Sequence, residues 1–390
     1  MSAALQPRRR AARLLAIACG CLLLAGFALP DPATALGARL VAPGGVSPLL
    51  PQARIDALVA SLPTRSGRID TPDGVPVFWR ALDPGDYGMR YRYRGMRGNE
   101  DSDMDFSLAL DTPQARSDAP PRGTVVLLHG WMMDGGSLLP WAVELAGQGY
   151  RTISLDLRNH GRSGEGLSGY GTREADDVVA VLRALRERGE VAGPLHVLGV
   201  SYGAATAIFA ARDLGMELGG VVAMESFDNA GGAIRDMVPH MLTRQPHDLA
   251  GWLSLQWLRW RFNARSLDTA IAEADRRLGI DLDRVDVGAA LAQGPACVLV
   301  VHGRDDAHVP VAHGRALAAA APRARYLELA GEDHLSLPMR LDRLGPTVSD
   351  WFARTAVTDG EACPQPIAAR DSGTAEAGQV QPAVAGAGAG

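Results

Sequence analysis

Residues 195–203 read LHVLGVSYG, and the alanine-rich segment 204–214 follows them directly. The apolar run predicts a strand buried on both faces, and the alanine-rich segment predicts a helix. The turn between them has the pattern G-x-S-x-G, in which Gly199 and Gly203 flank Ser201 because only small residues fit so tight a turn. Such a turn holds the serine side chain above the carboxyl edge of a sheet, beside the amino end of the helix. The segment therefore predicts a nucleophilic serine.

The neighbouring segments continue this alternation of strand and helix. Strands are predicted at residues 124–129, 152–157, 195–200, 220–224, 296–302 and 324–329, and helices at 141–148, 173–188, 204–214, 311–321 and 341–354. This spacing predicts an α/β fold with a mostly parallel, doubly wound sheet that has helices on both faces. A short helix is also predicted at 54–62. Three short runs, 75–80, 89–94 and 106–110, predict N-terminal antiparallel strands at one edge of the sheet.

A serine hydroxyl needs a neighbouring base to act as a nucleophile at neutral pH. The predicted strand 296–302 is followed by GRDDAHVP at 303–310, and the strand 324–329 is followed by GEDH at 331–334. Sites of open parallel sheets form at the carboxyl ends of the strands. We therefore predict that His334 is the base and that a carboxylate of the 303–310 segment, Asp305 or Asp306, orients it.

An oxyanion hole requires two backbone N–H groups that face the reacting carbonyl oxygen. Tyr202, the residue after the serine, is predicted to supply one of them. The other is predicted to come from Trp131 in the HGW sequence at 129–131, because Gly130 lets this loop bend towards the carbonyl. His129 and Gly130 are expected to fix the turn rather than to take part in proton transfer.

A less regular region at about residues 226–293 predicts a helical cap inserted over the site. Within it, Leu249, Leu253, Trp257 and Trp260 have the spacing of one helix face. Two interpretations remain open. The residues pack the cap helix on its own domain, or Trp257 and Trp260 form a wall of the substrate pocket.

The first 35 residues have the features of an export signal. Four arginines precede residue 14, about 16 largely apolar residues follow, and the small residues at 33–35 form a cleavage site. We expect an exported protein, periplasmic or secreted, with no stable membrane span after cleavage. An uncleaved leader that anchors the protein to the inner membrane is the alternative, and lipidation at Cys19 or Cys21 is a third possibility.

The remaining boundaries follow from composition. Residues 36–69 are predicted to form an N-terminal extension and residues 70–355 the main domain. Residues 356–390 are rich in Ala, Gly, Pro and Gln and predict a disordered tail. In an exported protein Cys297 and Cys363 could pair, and two unpaired thiols are an equal alternative.

The composition excludes several classes of protein. All 39 basic residues are arginine, so enzymes that depend on a Walker A lysine or a Schiff-base lysine are excluded. The net charge of −5, without a basic domain, argues against nucleic-acid binding. His302, His308 and His313 have no carboxylates at metal-ligand spacing, so we predict no metal and no cofactor.

The motifs together resemble the α/β-hydrolase superfamily over about residues 70–355, and within it the serine aminopeptidase and monoacylglycerol-lipase-like branch. The matching sequences are HG at 129–130, DLRNHGRS at 156–163, GVSYG at 199–203, G-x-x-D-x-x-V-P at 303–310 and the late G-x-x-H at 331–334. In that family the acid lies three residues after the glycine, which implies Asp306 rather than Asp305. The chain departs from the family at Asn159 and Asp333, where glycine is usual.

The resemblance implies a serine hydrolase that cleaves a carboxylic ester through an acyl-enzyme at Ser201. Cleavage of an amide or an N-terminal peptide bond is the near alternative. The same triad serves both reactions, and the cap determines which substrate is accepted. A catalytically silent α/β-hydrolase fold that binds a ligand through its cap is the alternative of another class. We expect a small molecule or a short peptide as substrate, and the oligomeric state stays open.

Overall fold

The computed structural model describes residues 32–42, 44, 52–95, 104–111, 114–115, 120–215, 218–243, 252, 256, 259, 263–356, 362–369 and 378–379. The strands are, in chain order, β1 (Thr64–Asp70), β2 (Pro76–Leu82), β3 (Gly85–Asp86), β4 (Arg90–Gly95), β5 (Met104–Ala109), β6 (Gln114–Ala115), β7 (Thr124–Leu128), β8 (Arg151–Asp156), β9 (Leu195–Val200), β10 (Leu218–Met224), β11 (Cys297–Gly303), β12 (Ala324–Leu329) and β13 (Gly378–Gln379). The main α-helices are α1 (Pro32–Val41), α2 (Gln52–Ala60), α3 (Leu139–Gly147), α4 (Thr172–Glu187), α5 (Tyr202–Leu214), α6 (Ala230–Met241), α7 (Ala264–Leu278), α8 (Val287–Gln293), α9 (Val311–Ala320) and α10 (Leu341–Thr355).

The central sheet has eight strands in the order β1-β2-β8-β7-β9-β10-β11-β12. The pairs β1–β2 and β2–β8 are antiparallel, and the remaining pairs are parallel. Every residue of β7, β9 and β11 is buried, as expected for strands covered on both faces. Helices α4, α5, α8 and α9 contribute to the apolar core on one face, and α3 and α10 to the core on the other. The predicted α/β fold is confirmed.

The N-terminal strands differ from the prediction in one respect. The edge of the main sheet is formed by β1 and β2, which pair along their whole length from Thr64–Leu82 to Asp70–Pro76. β4 and β5 instead pair with each other and with β13 in a separate three-stranded sheet. The run 75–80 is confirmed as β2, an antiparallel strand of the main sheet, whereas the predicted place of the runs 89–94 and 106–110 is wrong, because β4 and β5 form their backbone hydrogen bonds with each other and β4 also pairs with β13.

Part of the C-terminal segment is attached to the domain. Cys297 and Cys363 form a disulfide with an S–S distance of 2.06 Å. The carbonyl oxygen of Cys363 also accepts a hydrogen bond of 2.7 Å from the Arg325 guanidinium. For residues 362–369 this corrects the prediction of a disordered tail, because a covalent bond holds a segment that has little apolar surface of its own.

The N-terminal helix α1 packs against α7. Leu40 is fully buried, and its carbonyl oxygen accepts a hydrogen bond of 2.9 Å from the Tyr170 hydroxyl. The helix includes the predicted cleavage site after Ala35, and residues 1–31 lie outside the described residues. None of the helices described here is long and apolar enough to cross a membrane.

Helices α6, α7 and α8 lie in the chain between β10 and β11. α8 packs on α5 and α9 and so joins the helical layer of the sheet. A cavity of about 510 Å³ lies between α6 and α7, with Arg235, Leu242 and Leu267 in its lining. The predicted pocket residues Trp257 and Trp260, and with them Leu249 and Leu253, fall outside the described residues. The cap therefore stays a prediction.

Candidate active site

Ser201 lies in a strained turn between β9 and α5. Its φ and ψ angles are +52° and −115°, a conformation that L-residues rarely adopt. Its backbone N–H donates a hydrogen bond of 2.7 Å to the carbonyl oxygen of Met224 on the neighbouring strand. A Cβ at Gly199 would lie 2.2 Å from the Gly203 carbonyl oxygen, and a Cβ at Gly203 would lie 2.2 Å from that of Leu128. The turn thus requires glycine at both positions.

The structure brings Ser201, His334 and Asp306 together at the carboxyl edge of the sheet. They lie in the segments that follow β9, β12 and β11. His334 Nε2 is 3.0 Å from Ser201 Oγ, and His334 Nδ1 is 2.7 Å from Asp306 Oδ2. Asp305 is exposed and Asp306 is buried. A hydroxyl, an imidazole and a carboxylate in this order have the geometry for nucleophilic catalysis.

The Asp306 carboxylate is surrounded by donors. Its Oδ1 accepts hydrogen bonds of 2.8 Å from the backbone N–H groups of His308 and Val309, while Oδ2 faces His334 Nδ1. Burial alone would raise the pKa of Asp306, but His334 and the hydrogen bonds of its other neighbours hold that pKa well below its usual value. The carboxylate therefore stays ionised and accepts a hydrogen bond from His334 Nδ1–H. This keeps the ring in the tautomer whose Nε2 carries no proton and faces Ser201 Oγ.

Two buried histidines fix the loop that follows β7. His129 Nδ1–H donates to the Gly130 carbonyl oxygen at 2.8 Å, and its Nε2 accepts from the Leu157 N–H at 3.0 Å. His160 Nε2 accepts from the Met132 N–H at 3.2 Å. Burial lowers the pKa of His129 to about 4 and that of His160 to about 3, so both rings are neutral at pH 7.

This loop lies next to the serine. A Cβ at Gly130 would be 3.6 Å from Ser201 Cβ, so the residue that follows it, Trp131, is close to the reacting group. Tyr202 is the first residue of α5, where backbone N–H groups have no acceptor within the helix. The Tyr202 side chain is buried, and its hydroxyl lies 2.5 Å from Ser168 Oγ. The oxyanion roles of Trp131 and Tyr202 stay predictions.

The sequence reasoning missed Glu225, which follows β10 directly behind Asp306. Its side chain is fully buried and its φ is +54°. One carboxyl oxygen accepts from the Gly303 N–H at 3.1 Å, and the other lies 3.1 Å from His302 Nε2. One sequence feature could have indicated Glu225. It is the acidic residue in VVAMES at 221–226, at the carboxyl end of the strand that lies next to β9.

Glu225, His302 and Asp306 are of types that bind metal ions, and their ligand atoms lie within 4.8 Å of one another. Their contacts are nevertheless hydrogen bonds within the protein, including one of 2.8 Å between His302 Nε2 and the Val309 carbonyl oxygen. We therefore describe the cluster as a hydrogen-bonded group. His313 has other partners, Asp228 and Asp236, and the expectation that the protein needs no metal stays a prediction.

Comparison with known proteins identifies the family. The model of the alpha/beta hydrolase family matches residues 125–344. A pimeloyl-[acyl-carrier protein] methyl ester esterase of Xanthomonas oryzae pv. oryzae is 28% identical over 249 residues, which span 59% of this chain and 94% of that protein. The AB hydrolase superfamily protein YisY of Bacillus subtilis is 26% identical over 232 residues, which span 54% of this chain and 84% of YisY.

Among solved structures, the esterase PF2001 of Pyrococcus furiosus aligns with a TM-score of 0.52 and 18% identity. The alignment covers 80% of this chain and 95% of that one, and at this identity it shows the fold alone. The narrower resemblance to the aminopeptidase and monoacylglycerol-lipase-like branch stays a prediction. The family match covers more than half of the chain, and the protein therefore belongs to the α/β-hydrolase family.

Proposed function

We propose that this protein is an exported serine hydrolase that cleaves a carboxylic ester through an acyl-enzyme at Ser201. The observation that carries the proposal is the continuous hydrogen-bonded chain from Ser201 Oγ through the His334 ring to Asp306, with distances of 3.0 and 2.7 Å. This series of hydrogen bonds starts at Ser201, which the turn holds in a strained backbone conformation. It ends at a buried carboxylate that stays ionised.

In the proposed mechanism, Ser201 Oγ attacks the ester carbonyl carbon while His334 Nε2 takes the hydroxyl proton. The negative oxygen of the tetrahedral intermediate accepts hydrogen bonds from the backbone N–H groups of Trp131 and Tyr202. The C–O bond to the alcohol then breaks, and His334 transfers its proton to the departing oxygen. Water, deprotonated by His334, attacks the acyl-enzyme, and Ser201 leaves with the returned proton. Asp306 remains ionised and stabilises the imidazolium throughout.

Two observations favour an ester as the substrate and export as the destination. The Xanthomonas oryzae relative acts on a methyl ester, according to its name. The disulfide between Cys297 and Cys363 is of a kind that persists in oxidising compartments and is rare in the cytosol. The disulfide thus agrees with the export signal that the first 35 residues predict.

The proposal is tested by the hydrolysis of nitrophenyl esters of increasing acyl length by the wild type and by Ser201→Ala. We expect a burst of nitrophenol from the wild type, since an acyl-enzyme accumulates with such substrates. Ser201→Ala should lower kcat by a factor of about 10⁴ or more. Ser66→Ala, at an exposed serine of β1, is the matched control and should leave kcat unchanged.

Each other outcome points to one of the alternatives. Cleavage of aminoacyl nitroanilides but of no ester would replace esterase activity with amidase or aminopeptidase activity at the same triad. If the folded wild type cleaves neither kind of substrate, the hydrolase proposal fails and a silent binding fold takes its place. Equal activity in wild type and Ser201→Ala would remove the serine from the mechanism.

A further inference from the structure

The buried cluster behind the triad contains two carboxyl groups, those of Glu225 and Asp306. Both side chains are completely shielded from solvent. An oxygen of Glu225 and an oxygen of Asp306 lie within 4.8 Å of each other, and His302 Nε2 lies 3.1 Å from Glu225 Oε2 and 3.4 Å from Asp306 Oδ2. A Cβ at Gly303 would lie 3.0 Å from Glu225 Oε1, so the glycine lets the glutamate come this close to the end of β11. Glu225 and His302 therefore help to hold the carboxylate of Asp306, the acid of the triad, in place.

Two carboxyl groups that are this close and completely buried can hydrogen bond with each other only if one of them carries a proton. Asp306 accepts from His334 Nδ1–H and from the N–H groups of His308 and Val309, so its oxygens act as acceptors only. Two carboxylates in contact inside a protein cannot both remain ionised. The proton of the pair is therefore on Glu225, which donates to Asp306.

The surroundings of Glu225 favour a proton on its carboxyl group. Burial, and next the negative charge of Asp306, raise the pKa of Glu225 well above its usual value, and the carboxylate of Asp333 acts in the same direction. The Gly303 N–H donates to both oxygens of Glu225, at 3.1 Å to Oε1 and at 3.3 Å to Oε2, and the shorter contact to Oε1 favours the proton on Oε2. His334 and His302 are the other titratable groups next to Asp306. His334 Nδ1–H donates to that carboxylate, and His302 Nε2, which lies 3.4 Å from it, donates to the Val309 carbonyl oxygen at 2.8 Å.

We propose that Glu225 is a positioning residue whose neutral carboxylic acid donates a hydrogen bond to Asp306. The role rests on the proposed serine hydrolase function. The bond fixes the orientation of the Asp306 carboxylate and draws charge from it. Asp306 is thereby made less basic, so the proton that His334 takes from Ser201 stays on the imidazole until the leaving group receives it.

Two substitutions distinguish three possible states of Glu225: a neutral hydrogen-bond donor, an ionised carboxylate, and a side chain that only fills space. Glu225→Gln keeps both the volume and a donor and carries no charge, so the acid limb of the pH profile of kcat/KM should not move. An ionised Glu225 would favour the protonated form of the catalytic base, and its replacement by glutamine would then shift this limb down by about one pH unit. Glu225→Leu removes the donor, and we expect kcat to fall by about tenfold and the acid limb to move up.

A control variant and a spectroscopic signal complete the test. Glu174 is also fully buried, but its two oxygens accept from the N–H groups of Gly169 and Gly171. Glu174→Gln should therefore lower Tm, whereas Glu225→Gln should not. The infrared difference spectrum of wild type minus Glu225→Gln at pH 8 should contain the carbonyl band of a protonated carboxylic acid, which shifts in D2O.

The outcomes distinguish this inference from the proposed function. An inactive wild type with the carbonyl band would overturn the hydrolase proposal and leave the proton on Glu225. An active wild type without the band, or with a downward shift of the acid limb in Glu225→Gln, would overturn the inference. If Glu225→Leu keeps wild-type kcat and pH profile while folded, the glutamate only fills space and the positioning role fails.

Discussion

At the scale of single residues, the glycines beside Ser201 determine where its hydroxyl lies. Gly199 and Gly203 each lie so close to another backbone segment that a methyl group would be 2.2 Å from a carbonyl oxygen. A backbone carbonyl cannot rotate away as a side chain could. The strained turn is therefore maintained by close backbone packing of β9 against α5 and of α5 against the end of β7.

We expect Gly199→Ala to abolish hydrolysis and to destabilise the protein by about 3 kcal/mol or more, because β9 or α5 must move to admit the methyl group. Gly147→Ala is the matched control, since a Cβ at that helix end would meet a single atom, at 4.0 Å. Urea unfolding and ester hydrolysis of both variants provide the measurement. Wild-type hydrolysis by folded Gly199→Ala would contradict this account of the turn.

Sequence reasoning predicted that Ser201, His334 and an acid of the 303–310 segment lie together, because each follows a strand whose carboxyl end must lie at one edge of the sheet, and the family resemblance favoured Asp306 as the acid. It did not identify Glu225. A single acid after an apolar run looks the same in sequence whether it is solvated or buried against another carboxylate. That distinction depends on Gly303 and His302, which a different strand contributes.

At the scale of elements, the buried parallel strands could be predicted and the edge strand could not. β7, β9 and β11 read as mainly apolar runs because both of their faces are covered. β1 has the sequence TRSGRID, in which only Ile69 is buried. A half-exposed edge strand of this kind lacks the apolar pattern by which strands are recognised.

His313 of α9 links that helix to the segment after β10. Its Nδ1 lies 2.5 Å from Asp228 Oδ1 and its Nε2 lies 3.0 Å from Asp236 Oδ2 on α6. Both partners are carboxylates, so both ring nitrogens must donate and the ring is an imidazolium. Burial alone would lower the pKa of His313, but the hydrogen bonds to Asp228 and Asp236 outweigh it and raise the pKa.

A raised histidine pKa stabilises the fold fully below the unfolded pKa of about 6.5, and the stabilisation is lost as pH rises through the folded pKa. His313→Gln should therefore cost about 1 kcal/mol at pH 5.5 and much less at pH 9, with the partly exposed carboxylates discounted for screening. The difference between wild-type and variant urea midpoints at the two pH values measures this. A loss that is larger at pH 9 would contradict the ion-pair assignment.

At the scale of the whole molecule, the disulfide joins β11 to a segment beyond α10. The two cysteines are 66 residues apart in the chain. The sequence left their pairing open, because pairing depends on the distance between two segments that composition does not determine. Residues 362–369 were predicted as disordered from their composition, which does not reveal the disulfide that attaches them to β11.

Cys363→Ser should lower the free energy of unfolding by about 3 kcal/mol, since the closed loop constrains the unfolded chain. Hydrolysis should persist, because Cys297 begins the seven-residue strand β11 and the acid loop follows its other end, about 20 Å away. Urea midpoints of oxidised wild type, reduced wild type and Cys363→Ser test this. The urea midpoints of reduced wild type and Cys363→Ser should be equal, and both should be lower than that of oxidised wild type. Equal midpoints for all three would show that the disulfide contributes no stability.

Acid stability depends on histidines that the whole fold buries. Burial lowers the pKa of His129 and His196 to about 4 and that of His160 to about 3. The unfolded chain binds these protons at about pH 6.5, so stability is complete above that pH and falls as pH decreases towards 4. At pH 4.5 we expect a loss of about 2 to 3 kcal/mol per histidine, measured by urea unfolding. Constant stability from pH 7 to 4.5 would contradict the neutral, buried assignment.

The central claim is that Ser201 is an activated nucleophile. It is tested most directly by reaction of the folded wild type with a fluorophosphonate probe, followed by intact mass and peptide mapping. We predict one adduct per chain, located on Ser201, with no adduct on Ser201→Ala and much slower labelling of His334→Ala. A folded wild type that gains no mass, or an adduct that persists in Ser201→Ala, would contradict the account.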